Sequence, residues 1–223
     1  MKIFTIYSQS HKIWYNIFRT SLWANCKDFE LSSRLVPQVC KTGEYGSDDI
    51  IKFWYLKIEY ILELLDKETE PFLYSDCDVY FFRDFKADLE KRLTGKDIVC
   101  QFEKKILGLI PMVCAGFIYM RPNKRVKFMF QWILENMEKY GDDQKALNRY
   151  IYKKPFFSDV VWPISYGILP KSYYSINFDN KNKVWKGGRV KIRVKNPFMA
   201  HIHWAIGLKT RLKLLKMIKD HYK

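Results

Sequence analysis

A mostly parallel β-sheet flanked by helices, the α/β class, is the fold this sequence predicts, and three observations predict it. Short apolar runs alternate with segments whose apolar residues recur at helical spacing, the order that strand, crossover helix and strand produce. The chain of 223 residues is 48% hydrophobic, enough to bury one substantial core, so a single domain over residues 1–223 is expected. Neither an internal repeat nor a linker long enough to divide the chain interrupts that pattern.

The elements follow in order. "KIFTIYS" reads as a first strand, and "HKIWYNIFRTSLWANC" as a helix with Ile13, Ile17, Phe18 and Leu22 on its apolar side. "FELSSRLVP" reads as a second strand ended by Pro37, and the glycines of "CKTGEYGS" mark a loop. Ser47, Asp48 and Asp49 look like a cap and acidic first turn for a long helix whose stripe is Ile50, Trp54, Ile58, Ile61 and Leu65. That helix leads into "PFLYSDCDVYFF", read as a strand, and "DIVCQF" and "AGFIYMRP" read as further strands. Pro122 stands where it can open the helix "NKRVKFMFQWILENMEKY", which Gly141 stops. A shorter helix starts at Asp142 in "DDQKALNRYIY"; after it come "VVWPISYGILP", a Lys- and Gly-rich loop over 179–195 and the short strand "FMAHIHW". The chain closes on a basic amphipathic helix, about 206–221, with Leu208, Leu212, Leu215 and Ile218 on one stripe.

Composition narrows the function classes. The five cysteines are odd in number and show no C-x-x-C spacing, which argues against a zinc site and a disulfide framework and for a reducing compartment. No signal-peptide pattern, membrane-length apolar run or N-x-S/T acceptor is present, so a cytoplasmic enzyme is expected. The formal charge of +15 attracts anions, and it is concentrated: residues 181–223 carry thirteen Lys and Arg against the single acid Asp220.

Against that basic background Asp76 and Asp78 stand two residues apart after an apolar run. On a strand, i and i+2 share a face, so both carboxylates would point one way while Cys77 points back into the sheet. Two like charges so placed repel unless they share a proton or a divalent cation. In open α/β sheets ligands bind at the carboxyl ends of strands, where this pair stands. Hard carboxylate oxygens suit Mg²⁺ or Mn²⁺, and "HIHW" adds His201 and His203, which would face the same side of a strand; one His with two Asp is a site for Mn²⁺. Such a cation holding a diphosphate would stabilise charge on a leaving nucleotide.

Four blocks in order, "LYSDCDVYFF", "CAGFIYMRPN", "DDQKALN" and "HIHWAIGLK", spanning Tyr74 to Lys209, resemble the glycosyltransferases of the GT-A fold. Within that fold they are similar to the nucleotide-diphospho-sugar transferase families related to arabinosyl- and xylosyltransferases and bacterial galactosyltransferases. The resemblance implies a single-domain, Rossmann-like GT-A sheet and a metal-dependent transfer from a nucleotide sugar, with UDP the expected nucleotide, to a hydroxyl of a glycan or glycolipid, with retention. It implies that Asp78 binds the metal and Asp76 the metal or the donor's ribose and sugar. It gives a metal bond to His201 and leaves His203 as a polar donor-site residue, where relatives read H-x-N-W. Ala115 and Gly116 would let the donor sugar lie close; relatives often have Asn at the position of Cys114, a departure that bears on one expected hydrogen bond. Asp143 would accept from sugar hydroxyls, with Gln144 near the reacting carbon. Gly207 and Lys209 would approach the diphosphate, Lys57 the nucleotide, and Tyr7 the base.

Two other classes are weighed beside this. "DCDV" and "GDD" resemble the motifs of aspartate-nucleophile phosphatases, but that pair normally ends the first core strand, and here a strand and two helices precede it. A basic, aromatic-rich nucleic-acid binder lacks any recognised RNA module, and its D-x-D would repel phosphate unless metal is bound, so no nucleic-acid partner is expected. The lysines of the last helix would give a peripheral, charge-driven contact with anionic membrane.

Overall fold

The computed structural model describes residues 1–40, 49–106, 108–152, 163–175, 194–203 and 207–222. Among the described residues a six-stranded sheet carries the order β2-β1-β3-β6-β5-β7. Its strands are β1 (Lys2–Tyr7), β2 (Glu30–Leu35), β3 (Phe72–Ser75), β5 (Ile98–Ile106), β6 (Ile110–Met120) and β7 (Tyr166–Ile168). β1 pairs in parallel with β2 and β3, and β5 with β7, while β6 runs against both β3 and β5. Five strands therefore share one direction. A second, smaller sheet has the order β4-β9-β8, from β4 (Val79–Phe81), β8 (Tyr173–Ser175) and β9 (Met199–His201).

The inner strands read as continuous apolar runs because both faces are covered. In β3 the period of two sends Phe72 and Tyr74 into one hydrophobic layer and Leu73 into the other. The first layer is filled by α2 (Ile50–Lys67), α4 (Lys124–Tyr140) and α5 (Asp143–Tyr152), through Ile58, Ile61, Met129, Ile133 and Leu147. The second takes Phe18 and Leu22 of α1 (Lys12–Asn25), Leu89 of α3 (Lys86–Leu93) and Met199 of β9. A third cluster joins Trp14, Cys77, Ala200 and Ile202 to Leu214, Leu215 and Ile218 of α6 (Leu208–His221). Fully burying each such large side chain stabilises by roughly 1.5–3 kcal/mol, so the last helix is docked by its own stripe.

Several expectations change. The D-x-D pair does not lie on a strand: β3 ends at Ser75, and Asp76 to Asp78 form a turn before β4. Cys77 accordingly packs in the cluster with α6 and Trp14 instead of pointing back into the main sheet. α1 buries Trp14 with Phe18 and Leu22 while Ile13 is exposed, because the indole offers the larger apolar surface to that interface. α6 turns Arg211, Leu214, Leu215 and Ile218 inward and leaves Leu208 exposed, so its stripe is rotated from the expected one. α4 is opened by Asn123, whose side chain accepts from Val126 N–H at 3.0 Å, one residue beyond Pro122; Gly141 closes it in the left-handed region at φ 91°. "DIVCQF" and "AGFIYMRP" belong to one long hairpin, β5–β6, turned at Gly108 with φ 72°. α3 was not expected at all, being short and strongly charged. The glycine loop, Ser47 and Asp48 fall at 41–48, outside the described residues, as does most of the 179–195 segment; Asp49 occupies the cap position of α2 without a side-chain capping bond.

Candidate active site

The turn after β3 is pinned on two sides. Asp76 N–H donates to the Gly116 carbonyl of β6 at 2.7 Å, and Ile202 N–H donates to the Asp78 carbonyl at 3.0 Å, so the turn is stitched to both sheets. Gly116 is required by close approach: a Cβ there would stand 2.3 Å from Asp76 Oδ2 and 2.5 Å from His201 Cε1. Asp76 and His201 themselves occupy the space directly over the Gly116 Cα.

Lys57 reaches this turn from α2 and is only 3% exposed. Its Nζ lies 3.2 Å from Asp76 Oδ1 and 2.9 Å from Asp143 Oδ2. Burial alone would lower its pKa, but Asp143 and then Asp76 outweigh that and raise it, so the ammonium stays charged. Asp143 begins α5, where the helix dipole favours an acid, and its Oδ1 accepts from Gln144 N–H at 2.8 Å. Gln144 Oε1 accepts from Ala115 N–H of β6 at 3.4 Å. Asn148 fixes α5 to the same strand, accepting from Val113 N–H at 2.8 Å and donating to the Val113 carbonyl at 2.7 Å.

Asp78 is buried and uses both oxygens. Oδ1 lies 3.0 Å from His201 Nε2, and Oδ2 is paired with Arg211 of α6. Burial alone would raise the Asp78 pKa; His201 and Arg211 outweigh it and hold the carboxyl well below its usual range. Arg211 also donates through Nε to the Ile202 carbonyl at 2.9 Å and lies 5.2 Å from the Trp14 ring centre. His203 packs its ring 4.1 Å from that of His201, on the same side as expected, and meets Glu103 Oε2 at 3.1 Å. Burial, then His201, push its pKa below the ordinary imidazole value against the pull of Glu103.

Two groups of potential ligand atoms each fall within 4.8 Å of one another: Asp76, Asp78 and His201, and Cys114, His201 and His203. The second is a poor seat, because burial, then Glu103 and Asp76, push the Cys114 thiol well above its usual range, and a thiol ligates only as thiolate. The first, two carboxylates and an imidazole around a glycine cradle, fits Mn²⁺ or Mg²⁺.

Tyr7, at the carboxyl end of β1, stacks flat on Tyr15 with ring centres 4.1 Å apart. Gly207 stands at the N-cap of α6 with φ 88°, and Lys209 is exposed on the first turn of that helix. Gln101, Glu103, Asn148 and Arg211 were not singled out by the sequence. The available signal was a polar or charged residue inside an apolar run: Gln101 in "DIVCQF", Arg211 in "RLKLLKMI".

A helix-flanked sheet with carboxylates and an imidazole gathered where β3 ends defines an α/β protein with a candidate divalent-cation site at the carboxyl end of its central strands. The family model described as nucleotide-diphospho-sugar transferase matches residues 18–215, most of the chain, and the protein belongs to that family of GT-A glycosyltransferases. Comparison with curated protein sequences yields no match. Among solved structures, the chain is similar to the glycosyltransferase GlyE of Streptococcus pneumoniae TIGR4, with TM-score 0.58 and 16% identity over 97% of this chain and 60% of that one. It is similar to the galactosyltransferase LgtC, with TM-score 0.58 and 12% identity over 99% and 96%. Mouse xyloside xylosyltransferase 1 gives TM-score 0.55 and 10% identity over 90% and 97%. At such identities these likenesses establish the fold, and the chain spans only 60% of the GlyE chain.

Proposed function

We propose that this protein, acting as one domain over residues 1–223, transfers a sugar from a nucleotide-diphosphate sugar, with UDP as the nucleotide, to a hydroxyl of a glycan or glycolipid. The observation that carries the reading is the convergence of Asp76, Asp78 and His201 within 4.8 Å, inside the span that matches the family. Those three side chains would hold Mn²⁺ or Mg²⁺, which when bound stabilises charge on the departing diphosphate. Lys57 pairs with both Asp76 and Asp143 and holds them in place. Asp143 accepts from hydroxyls of the donor sugar, and Gln144, its oxygen held by Ala115 N–H, offers its amide nitrogen near the reacting carbon. Ala115 and Gly116 supply a close strand backbone, and His203 a polar contact to the donor. Gly207 and Lys209 approach the diphosphate, with Lys209 as a point charge, and Tyr7 contacts the base.

Retention is the stereochemical course we favour. An inverting enzyme needs a carboxylate with free lone pairs as base near the acceptor. Asp143 is ion-paired with Lys57 at 2.9 Å, and Asp142 accepts Lys145 N–H at 2.5 Å and pairs with Lys145 Nζ at 2.9 Å. Asp142 is thus committed to Lys145, and Asp143 to Lys57 and, in this reading, to the donor sugar and not the acceptor. NMR of the product's anomeric proton checks this, and an inverted anomer overturns it.

Asp78→Ala should abolish metal-dependent hydrolysis of a nucleotide-sugar panel while wild type turns over at least one member; normal turnover by the variant would reject the reading. Thermal shift with UDP plus Mn²⁺, with a phosphatase substrate and with RNA separates the three classes. The family match already sets the aspartate-nucleophile phosphatase aside. No helix among the described residues is long and apolar enough to cross a membrane. The exposed Lys209, Lys213 and Lys216 of α6 support instead a peripheral contact with anionic lipid from a cytoplasmic position.

A further inference from the structure

His201 is fully buried, and its two ring nitrogens face different partners. Nε2 faces Asp78 Oδ1 at 3.0 Å, and Nδ1 faces Gln101 Oε1 at 2.8 Å. Gln101 is also fully buried, and its Nε2 donates to the Tyr173 carbonyl at 3.2 Å, with Met199 Sδ at 3.9 Å. A backbone carbonyl only accepts, so the amide nitrogen must face Tyr173 and the amide oxygen must face His201. The hydrogen on that side of the imidazole is therefore on Nδ1. Cys114 Sγ, at 3.7 Å from Nδ1, is a weaker and longer contact that does not reverse this choice.

A neutral imidazole protonated on Nδ1 presents a lone pair at Nε2. Whenever Nε2 carries no proton, that lone pair meets an acceptor-only carboxylate oxygen at 3.0 Å, and the other oxygen of Asp78 is taken by Arg211. Two lone pairs facing at hydrogen-bond distance require something positive between them, a proton or a cation. The strand geometry aims Gln101 at this point. β5–β6 pairing runs Cys100 with Ile118 and then jumps to Phe102 with Val113, so Gln101 alone opposes the bulged stretch 114–117 that contains Cys114 and Gly116. Bulges of this kind re-aim side chains beside sites.

We propose that Gln101 is the positioning residue of the metal centre: by accepting from His201 Nδ1–H it turns the Nε2 lone pair toward Asp78 Oδ1 and keeps His201 competent as a ligand. This rests on the divalent-cation reading of Asp76, Asp78 and His201. Partners of this kind on metal-bound histidines contribute about 10–100-fold to metal affinity.

Three measurements test it. In ¹⁵N-histidine-labelled wild type loaded with Mg²⁺, His201 should be protonated at Nδ1 and not at Nε2; the opposite tautomer overturns the proposal without any variant. Calorimetric Mn²⁺ titration should give an affinity about 10–100-fold weaker for Gln101→Met, which fills similar space without an acceptor. Gln101→Glu restores an acceptor at the same reach and should bind within about threefold of wild type, a rescue that a purely structural role would not produce. Equal affinity in wild type and Gln101→Met, or equal loss in both variants, overturns the proposal while leaving the metal reading intact. Absence of Mn²⁺ binding by wild type overturns both.

Discussion

Lys57 places one positive charge between two carboxylates that come from different parts of the chain, at a position 3% exposed. Removing it leaves Asp76 and Asp143 facing each other without compensation, and uncompensated buried charge costs several kcal/mol. Lys57→Met should lower unfolding free energy by about 3 kcal/mol in urea titration, and Lys57→Met/Asp143→Asn should recover a large part of it. Additive losses in that cycle would dismiss the coupling. At this scale the sequence carries the chemistry but not the company it keeps. Asp76, Asp78, Gly116, Asp143 and His201 sit in motifs short enough to read, and the structure gathers them. Lys57 is expected at the nucleotide from the resemblance alone and is otherwise one more lysine on an amphipathic helix, and Gln101 reads as one polar residue in a strand. Their meaning lies in partners such as Asp76, 19 residues away, and His201, 100 residues away, which spacing cannot show.

Among the elements, β5, β7 and α4 are tied together by one carboxylate just ahead of β5. Asp97 is 2% exposed; its Oδ1 accepts from Asn123 at 2.8 Å and Arg125 at 2.7 Å, and its Oδ2 from Ser165 N–H at 2.9 Å. Burial alone would raise its pKa, but Arg125, Ser165 and Asn123 outweigh that and lower it. A carboxyl with a lowered folded pKa contributes fully above its unfolded value, about 3.9, and loses that contribution as pH falls through the folded value. Asp97→Asn should therefore cost about 2–3 kcal/mol at pH 7, and the gap between variant and wild type in urea denaturation should shrink below about pH 4. A gap independent of pH would contradict the assignment. The elements legible beforehand were those with strong periodicity, such as α2 and α4, or a continuous apolar run, such as β1. The D-x-D turn was misread as strand because an apolar run on either side hides a three-residue reversal. The β5–β6 hairpin was underestimated because its outer half, "EKKI" and "IPMV", mixes charge and proline into the pattern.

On the scale of the whole molecule, the basic end of the chain has a divided role. α6 buries Leu214, Leu215 and Ile218 against Ala200, Ile202 and Trp14, so its apolar stripe is occupied and its lysines face outward. Charge and not insertion should then govern any membrane contact, at on the order of 1 kcal/mol per lysine near an anionic surface and screened within about 10 Å at 0.1 M salt. Co-sedimentation should show binding to anionic liposomes at low salt that disappears at high salt. Equal binding to neutral liposomes, or none at low salt, would reject a charge-driven contact.

The pairing of Asp78 with Arg211, 133 residues downstream, also bears on how the protein is made. A ribosome adds roughly 5–20 residues per second, so the turn holding Asp78 is synthesised some 7–27 s before its guanidinium partner exists. His201, 123 residues downstream of Asp78, is nearly as late. Through that interval the nascent chain can form β1, α2 and β3 and pair them, but the carboxylate at the end of β3 has neither counter-charge nor imidazole. The candidate site is thus completed only when α6 has been made, and until then Asp78 stands in the growing polypeptide without Arg211 or His201 beside it.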